Sequence, residues 1–225
     1  MRETAVGDRL ACSNDEQTPA LLQPRQSLGV IEQMLDLSRI EVGKVRLAVD
    51  DVDPREIIEQ VRQDIAPLAE AKGLQVTIDT CPDLPRLRLD AMRVRQILWN
   101  LVSNALKFTP EGETVTVALR RDEAARRCIL TVADTGPGIP PQELPHIFER
   151  FYRGDKSRQR DQLTKGTGLG LCICQAVVHA HGGSIGVSSH VNQGTTFSVT
   201  LPLLPPEALA AARERAQIES EHAPA

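Results

Sequence analysis

Hydrophobic and polar positions in this chain follow two periods, one typical of helices and one typical of strands. Apolar residues recur at helical spacing in residues 26–43, 54–72, 91–108 and 170–181. Strict alternation predicts strands, which have the sequences LQVTID (74–79), TVTVALR (114–120), CILTVAD (128–134), SIGVSS (184–189) and TTFSVTLPL (195–203). These strands are grouped at the start, middle and end, with helices between them. The order predicts a mixed α+β sandwich and not a strictly alternating parallel sheet.

Residues that begin and end helices support these boundaries. Asp53 can cap the second helix, with Pro54 at its first position and Glu56 placed for a capping box. Gly73 can end that helix, and Asp90 can cap the next one. The sequence PPQELPHIFERF (140–151) is interpreted as a further short helix.

Four regions follow from the pattern. Residues 1–23 are polar and aperiodic, so we expect poor order there, and residues 24–46 form an amphipathic helix. Its a/d-like positions fit either packing on its own domain or dimerisation, and they include Leu28, Ile31, Leu35 and Val42. Residues 47–204 hold the predicted globular domain, and residues 205–225 form a polar tail.

Composition narrows the class of protein. The chain has 225 residues and a formal net charge of −4, which argues against general nucleic-acid binding. No apolar run approaches the roughly 18–20 residues that span a bilayer, so no membrane segment is predicted in this chain. The five cysteines are scattered and form no C-x-x-C pair, which favours free thiols and a cytoplasmic location.

A glycine-rich turn leads directly into the last predicted helix, in the sequence KGTGLGLCICQAVVHAHGG (165–183). Helix starts hold phosphate well, because their backbone N–H groups are unpaired and the dipole end is positive. The spacing of Gly166, Gly168 and Gly170 fits neither a Walker loop nor a dinucleotide fingerprint. By itself the turn fits a phosphate site and a simple tight turn equally well.

Three further features favour a nucleotide. Gln96, Asn100, Asn104 and Lys107 form one polar stripe on an otherwise apolar helix. An amide oxygen suits Mg²⁺ and a lysine suits phosphate. The alternative is a solvent-exposed helix face that binds no ligand. Asp134 ends a strand beside two glycines and can accept from an adenine amino group, unless it only opens an Asp-x-Gly turn. The third feature is a charged loop, which fits either a lid over the phosphates or an ordinary solvated loop. Its basic residues are Arg150, Arg153, Lys156, Arg158, Arg160 and Lys165.

Together these stretches resemble the ATP-binding catalytic domain of bacterial two-component sensor histidine kinases. QILWNLVSNALKFTP is similar to the family's N box, DTGPGIP to its G1 box, IFERFYR to its F box and GTGLGLCICQAVVHAHGG to its G2 box. The resemblance covers residues 50–203, and DLSRIEVGK (36–44) extends it to the end of the second dimerisation helix. It implies a Bergerat two-layer α/β sandwich preceded by a helical remnant of the dimerisation domain.

The resemblance also implies roles for individual residues. Asp134 is expected to read adenine in a pocket shaped by Gly136, Gly138 and Ile139 and supported by Thr195. Asn104 is expected to hold Mg²⁺ with help from Asn100, while Lys107 contacts phosphate and Arg153 contacts the transferring γ-phosphate. Phe148 and Phe151 are expected to anchor the lid. The residues expected to wrap the phosphates of ATP are Gly166, Thr167, Gly168, Leu169 and Gly170.

The family's acceptor histidine lies well before the DxSRIE-like motif, whereas the five histidines here begin at His146. We therefore expect no phosphoacceptor in this chain, and a histidine-containing dimerisation domain acting in trans. A response regulator receiver domain is the expected downstream partner. A non-catalytic, nucleotide-dependent interaction module that regulates a partner kinase is the alternative. Autonomous hydrolysis is disfavoured, because Asn100 stands where related ATPases carry a glutamate that activates water.

Overall fold

The computed structural model describes residues 47–154 and 167–203. The predicted segments 1–23, 24–46 and 205–225 lie outside the described residues, as do Gly166 and most of the charged loop. The helices are α1 (Pro54–Ala71), α2 (Ala91–Phe108) and α3 (Gly170–Ala180). The strands are β1 (Asp50–Val52), β2 (Gln75–Thr80), β3 (Leu87–Leu89), β4 (Thr114–Asp122), β5 (Arg127–Asp134), β6 (Ser184–His190) and β7 (Gly194–Pro202).

A five-stranded mixed sheet forms one layer, with the strand order β2-β4-β5-β7-β6. Strand β2 runs parallel to β4, and the other three pairs are antiparallel. This parallel pair is joined through β3 and α2, because a parallel connection needs a long crossover. A second, two-stranded sheet pairs β1 with β3.

The three helices form the other layer and cover the buried face of the sheet. Every second residue is buried from Val115 to Leu119 on β4 and from Cys128 to Val132 on β5, whereas the residues between them are half-buried. Helix α2 lies between α1 and α3 and contributes seven buried apolar residues to the shared core. The α+β class and the two-layer sandwich predicted from the sequence are therefore confirmed. Within the described ranges, no helix is both long and apolar enough to cross a bilayer.

The predicted caps Asp53 and Asp90 act where expected, whereas the described residues do not form the capping box predicted at Glu56, whose N–H donates to the Asp53 carbonyl at 3.1 Å. The Asp53 carboxylate accepts the Arg55 N–H at 2.9 Å, and the Asp90 carboxylate accepts the Arg93 N–H at 3.0 Å. Asp90 also accepts the Ala48 N–H at 2.9 Å, which ties the start of the domain to the start of α2. Gly73 ends α1 in the left-handed region with φ +65°.

The prediction of a helix over 140–151 is wrong. The structure has only a short 3₁₀ turn, Leu144–His146. Prolines at 140, 141 and 145 remove backbone donors that a continuous α-helix needs, which explains the difference. The sequence analysis also missed β1 and β3, whose three-residue length is too short to show a period.

Candidate functional site

Helix α2 presents its polar stripe at the border between buried and open surface. Asn100, Asn104 and Lys107 are all half-buried, while seven apolar residues that face the core from the same helix are buried. Within residues 47–154 and 167–203, no hydrogen bond joins the Asn104 amide to another side chain or backbone group. An amide in this position keeps its oxygen available for a ligand.

The start of α3 lies directly beside this stripe. Leu169 is the N-cap residue, and no side chain caps the helix there. A Cβ built on Gly170 would lie 3.5 Å from the Asn100 Oδ1, so the helix start and the amide are in near contact. Leu169 is buried and its backbone groups are already used, because Thr167 Oγ1 accepts the Leu169 N–H at 3.3 Å and the Leu169 carbonyl accepts the Ile173 N–H at 3.0 Å.

The predicted F box contacts the predicted G2 box through backbone. The Phe151 N–H donates to the Gly168 carbonyl at 3.0 Å. Phe151 is 59% exposed, so its own side chain does not bury there. Phe148 instead packs edge-to-face on Phe197 of β7, with ring centroids 6.4 Å apart.

Lys107 and Arg153 are both predicted to contact phosphate, and the charge of Arg153 acts on Lys107. Burial and the charge of Arg153 lower the pKa of the Lys107 ammonium below its ordinary value of 10.5. Lys107 Nζ lies 5.1 Å from the centroid of the Phe108 ring. Two positive charges brought together at a helix end mark a place where an anion is favourable.

Asp134 lies at the other end of the site, where β5 ends. Burial raises the pKa of its carboxyl above 3.8, and hydrogen bonds from the backbone N–H groups of Gly136 and Thr195 oppose that rise. The Gly136 N–H donates to Asp134 Oδ1 at 2.9 Å. A Cβ on Gly136 would be 3.5 Å from the Phe108 carbonyl oxygen, so the G1 turn lies under the end of α2.

Asp134, Thr195 and Ser189 form a row across three neighbouring strands. Asp134 of β5 is paired with Thr195 of β7, and Thr195 is paired with Ser189 of β6. Thr195 and Ser189 are buried, with relative exposures of 6% and 8%. Ser189 Oγ lies 2.9 Å from Thr195 Oγ1 and accepts the Ile139 N–H at 2.8 Å.

Sequence reasoning missed Ser189 and Cys174. Ser189 lies within a run of small polar strand residues, and its partner Ile139 is 50 positions away, so no local signal marks it. Cys174 is fully buried on α3; burial raises its pKa to about 12, and a hydrogen bond with the Asn100 side chain opposes that rise. The thiol therefore remains protonated and helps to orient the amide.

The donor set matches a magnesium–nucleotide pair better than a metal held by protein alone. Among the described residues, no group of three or more His, Cys, Asp or Glu side chains converges on a point. Mg²⁺ commonly takes one or two protein oxygens and completes its shell with water and phosphate oxygens. The Asn104 amide, one helical turn from the Asn100 side chain that meets the uncapped start of α3, fits that arrangement. Together the fold and this group of side chains define an α/β sandwich with a candidate anion site at a helix start.

The profile of the family described as "Histidine kinase-, DNA gyrase B-, and HSP90-like ATPase" matches residues 89–205. That is more than half of the chain, and this protein belongs to that family.

Its relatives are sensor kinases. Residues of this chain are 39% identical over 179 positions to the sensor protein GacS of Pseudomonas syringae pv. syringae, covering 78% of this chain and 20% of GacS. The adaptive-response sensory kinase SasA of Synechococcus elongatus is 35% identical over 192 positions, covering 85% of this chain and 48% of SasA. The chain thus spans less than half of the length of either relative.

A solved structure shares the fold. The crystal structure of full-length ShkA in complex with AMPPNP superposes with a TM-score of 0.71 and 31% sequence identity. The match covers 81% of this chain and 37% of ShkA. The chain therefore carries the ATPase catalytic domain found in sensor histidine kinases.

Proposed function

We propose that this chain binds ATP with Mg²⁺ and donates the γ-phosphoryl group to a histidine in two-component signalling. The observation that carries the proposal is the convergence of one amide pair, one helix start and two cations. Asn100 lies against Gly170 at the start of α3. Lys107 is on the same helix as Asn100, and the charge of Arg153 lowers its pKa. The AMPPNP bound by ShkA supports the choice of a nucleoside triphosphate.

The two ends of the site suit the two ends of ATP. Asp134 and Thr195 offer acceptors at the end of the sheet, which favours the amino edge of adenine. The backbone N–H groups at the start of α3 favour phosphate, and Lys107 and Arg153 add positive charge. Asn104 would hold the magnesium ion with help from Asn100. When bound, Mg²⁺ neutralises charge on the phosphates and fixes their geometry.

Asn100 supports transfer over hydrolysis. An amide takes no proton at neutral pH, so it cannot serve as the general base that activates water. Its contacts are with Gly170 and with the Cys174 thiol, whose raised pKa of about 12 keeps that group protonated as well. A histidine acceptor attacks through the lone pair of a neutral ring nitrogen, so no base has to remove a proton from it first.

The partners of the whole protein belong to the same proposal. The names of GacS and SasA describe sensory proteins, and both extend well beyond the region matched here. We infer a histidine-containing dimerisation domain in trans as the acceptor and a response regulator receiver domain as the next recipient. We infer a cytoplasmic site of action, which the scattered free thiols support.

Phosphoryl transfer tests the proposal directly. The full 225-residue chain is incubated with γ-labelled ATP and Mg²⁺, with and without the dimerisation domain of a relative such as SasA. We expect acid-labile label on the added domain, slow transfer limited by docking, and no label on the chain alone. The Asn104→Ala variant is the negative control, and Gln63→Ala removes an exposed amide far from the site as the matched control.

Two results would contradict the proposal in different ways. Absence of ATP binding in calorimetry would remove the nucleotide assignment itself. ATP binding without transfer to any added acceptor would favour the alternative, a non-catalytic module whose nucleotide state regulates a partner kinase.

A further inference from the structure

Ser189 joins three parts of the candidate site through one buried hydroxyl group. Its Oγ accepts the Ile139 N–H at 2.8 Å, donates to the Gly194 carbonyl at 2.9 Å and lies 2.9 Å from Thr195 Oγ1. Ile139 belongs to the G1 turn, and Thr195 is the strand partner of Asp134. One side chain on β6 thus connects the G1 turn to the residue beside the base-reading carboxylate.

The number of protons fixes the direction of each of these hydrogen bonds. A serine hydroxyl has one proton and two lone pairs. The Gly194 carbonyl can only accept, so it takes the Ser189 proton, and the Ile139 N–H can only donate. The remaining lone pair of Ser189 therefore accepts the Thr195 hydroxyl proton. Thr195 is left with lone pairs and no proton for a ligand.

This polarity makes the whole row an acceptor surface. Asp134 is a carboxylate whose oxygens already accept from the backbone N–H groups of Gly136 and Thr195. A Thr195 hydroxyl held as an acceptor favours a base or bridging water that donates, which adenine supports through its 6-amino group. Guanine presents a carbonyl at that edge, and two acceptors facing each other are unfavourable.

The turn between β6 and β7 holds the G1 turn in the same place. The Asn192 N–H donates to the Pro137 carbonyl at 2.9 Å. A Cβ on Gly138 would lie 2.1 Å from the His190 carbonyl oxygen, so only glycine permits this approach, and Gly138 has φ +68°. The Ser189 hydroxyl is the side-chain member of this set of contacts.

We propose that Ser189 is a positioning residue for base selection: it holds the Thr195 hydroxyl as an acceptor and fixes the G1 turn, so that the site prefers adenine to guanine. The proposal rests on the proposed function, since it concerns the same nucleotide site. It extends the site to a residue on β6 that contacts neither the phosphates nor the metal region described above.

Nucleotide titrations on the full chain test this role. Dissociation constants for ATP, GTP and inorganic tripolyphosphate are measured for wild type, Ser189→Ala and Ser188→Ala. Ser188 is the exposed neighbour on the same strand and serves as the matched control. We expect Ser189→Ala to reduce the preference for ATP over GTP roughly fivefold, the effect of one neutral hydrogen bond. Tripolyphosphate affinity should stay unchanged, and Ser189→Thr should restore the preference.

The outcomes separate this proposal from the proposed function. A wild-type chain that binds no ATP, or binds GTP equally well, contradicts the nucleotide assignment and this proposal with it. A wild-type preference for ATP that survives in Ser189→Ala overturns only the role of Ser189. Equal weakening of ATP and tripolyphosphate also overturns it, because that indicates general loosening. If Ser189→Ala does not fold, Thr195→Val replaces it in the test. Thr195→Val must then show the same reduced preference for ATP over GTP, and an unchanged preference in that variant overturns the proposal.

Discussion

The backbone N–H of Phe151 donates to the carbonyl of Gly168 at 3.0 Å, and both residues adopt positive φ. Phe151 has φ +61° and Gly168 has φ +72°. The left-handed region is unfavourable for a phenylalanine, by roughly 1–2 kcal/mol. The surrounding contacts must therefore hold the chain in this form, at the point where the F box meets the turn that leads into α3.

Replacement of Gly168 should disrupt that junction. A Cβ there would lie 2.8 Å from the Cα and carbonyl carbon of Phe151, in addition to the unfavourable φ. We expect Gly168→Ala to cost more than the roughly 1–2 kcal/mol that the unfavourable φ alone accounts for, and to weaken ATP binding more than that loss explains. Gly186→Ala on β6 is the control, because a Cβ there meets nothing within 4 Å. Equal effects of the two variants in thermal melts and titrations would contradict the prediction.

Removal of the Asp134 charge should separate function from stability. The raised pKa of this carboxyl means that its ionised form is disfavoured by burial. Asp134→Asn should therefore keep or increase the melting temperature, while loss of a charge-assisted hydrogen bond weakens ATP binding by roughly 1.5–3 kcal/mol. ATP affinity of the wild type should fall on acidification at a pH above the ordinary 3.8, and the variant should show no such step. Unchanged ATP affinity in Asp134→Asn would remove the adenine assignment.

Helix α2 shows what could be predicted from sequence. Its bounds, Ala91–Phe108, follow from the Asp90 cap and from a continuous apolar face, both of which are local signals. The strands of the large sheet were also found to within one or two residues, because their alternation spans six or more positions. The polar stripe was visible for the same reason, since residues four apart share one face of a helix.

What could not be predicted depends on contacts between distant residues. The Asn100–Cys174 contact and the Ser189–Ile139 hydrogen bond join segments 50 or more positions apart, and no local pattern records them. The helix predicted over 140–151 failed for a different reason. The apolar residues of that segment have helical spacing, but its prolines lack the backbone N–H groups that an α-helix needs. The effect of the prolines outweighed the apolar spacing.

His181 should make stability depend on pH. Its Nδ1 donates to the Val177 carbonyl at 2.8 Å, and its Nε2 accepts the Asp90 N–H at 3.1 Å, so the ring is neutral. Burial lowers its pKa below 6.5, which means that the unfolded chain takes up a proton first as pH falls. Unfolding free energy should therefore decrease below pH 6.5, with a slope of at most about 1.4 kcal/mol per pH unit from this residue.

Denaturant titrations at several pH values test this dependence. His181→Gln should flatten the acid slope, whereas the exposed neighbour His179→Gln should leave it as in the wild type. A slope that is the same in all three proteins would show that other groups control acid stability.

The Asn104 amide should matter for the nucleotide and not for the fold. It is half-buried, and the adjacent buried residues on α2 make the core contacts. Asn104→Ala should abolish the part of ATP affinity that depends on Mg²⁺ while circular dichroism and the melting temperature stay close to the wild type. The measurement is a pair of titrations, with Mg²⁺ and with EDTA. A large loss of thermal stability in nucleotide-free protein would instead indicate a structural role.

Substitution of Lys107 and substitution of Lys72 should have opposite effects on stability and on ATP binding, because Lys107 is close to the charge of Arg153 and Lys72 binds backbone carbonyls. Burial and the charge of Arg153 lower the pKa of Lys107, so its charge opposes folding until an anion binds. Lys107→Gln should therefore weaken ATP binding roughly tenfold, reduce the salt dependence of that binding, and leave the melting temperature unchanged or higher. Lys72 differs, because its Nζ donates to the carbonyls of Leu106 and Lys107 at 2.5 and 2.9 Å and so stabilises the end of α2.

Lys72→Gln should accordingly cost about 1 kcal/mol of stability with a smaller change in ATP affinity. Calorimetry at two salt concentrations and thermal melts without nucleotide distinguish the two lysines. The assignment of Lys107 to phosphate fails if its variant loses stability like Lys72→Gln and keeps its ATP affinity. In that case the charge near Arg153 would serve the fold, and the anion site would have to depend on the start of α3 alone.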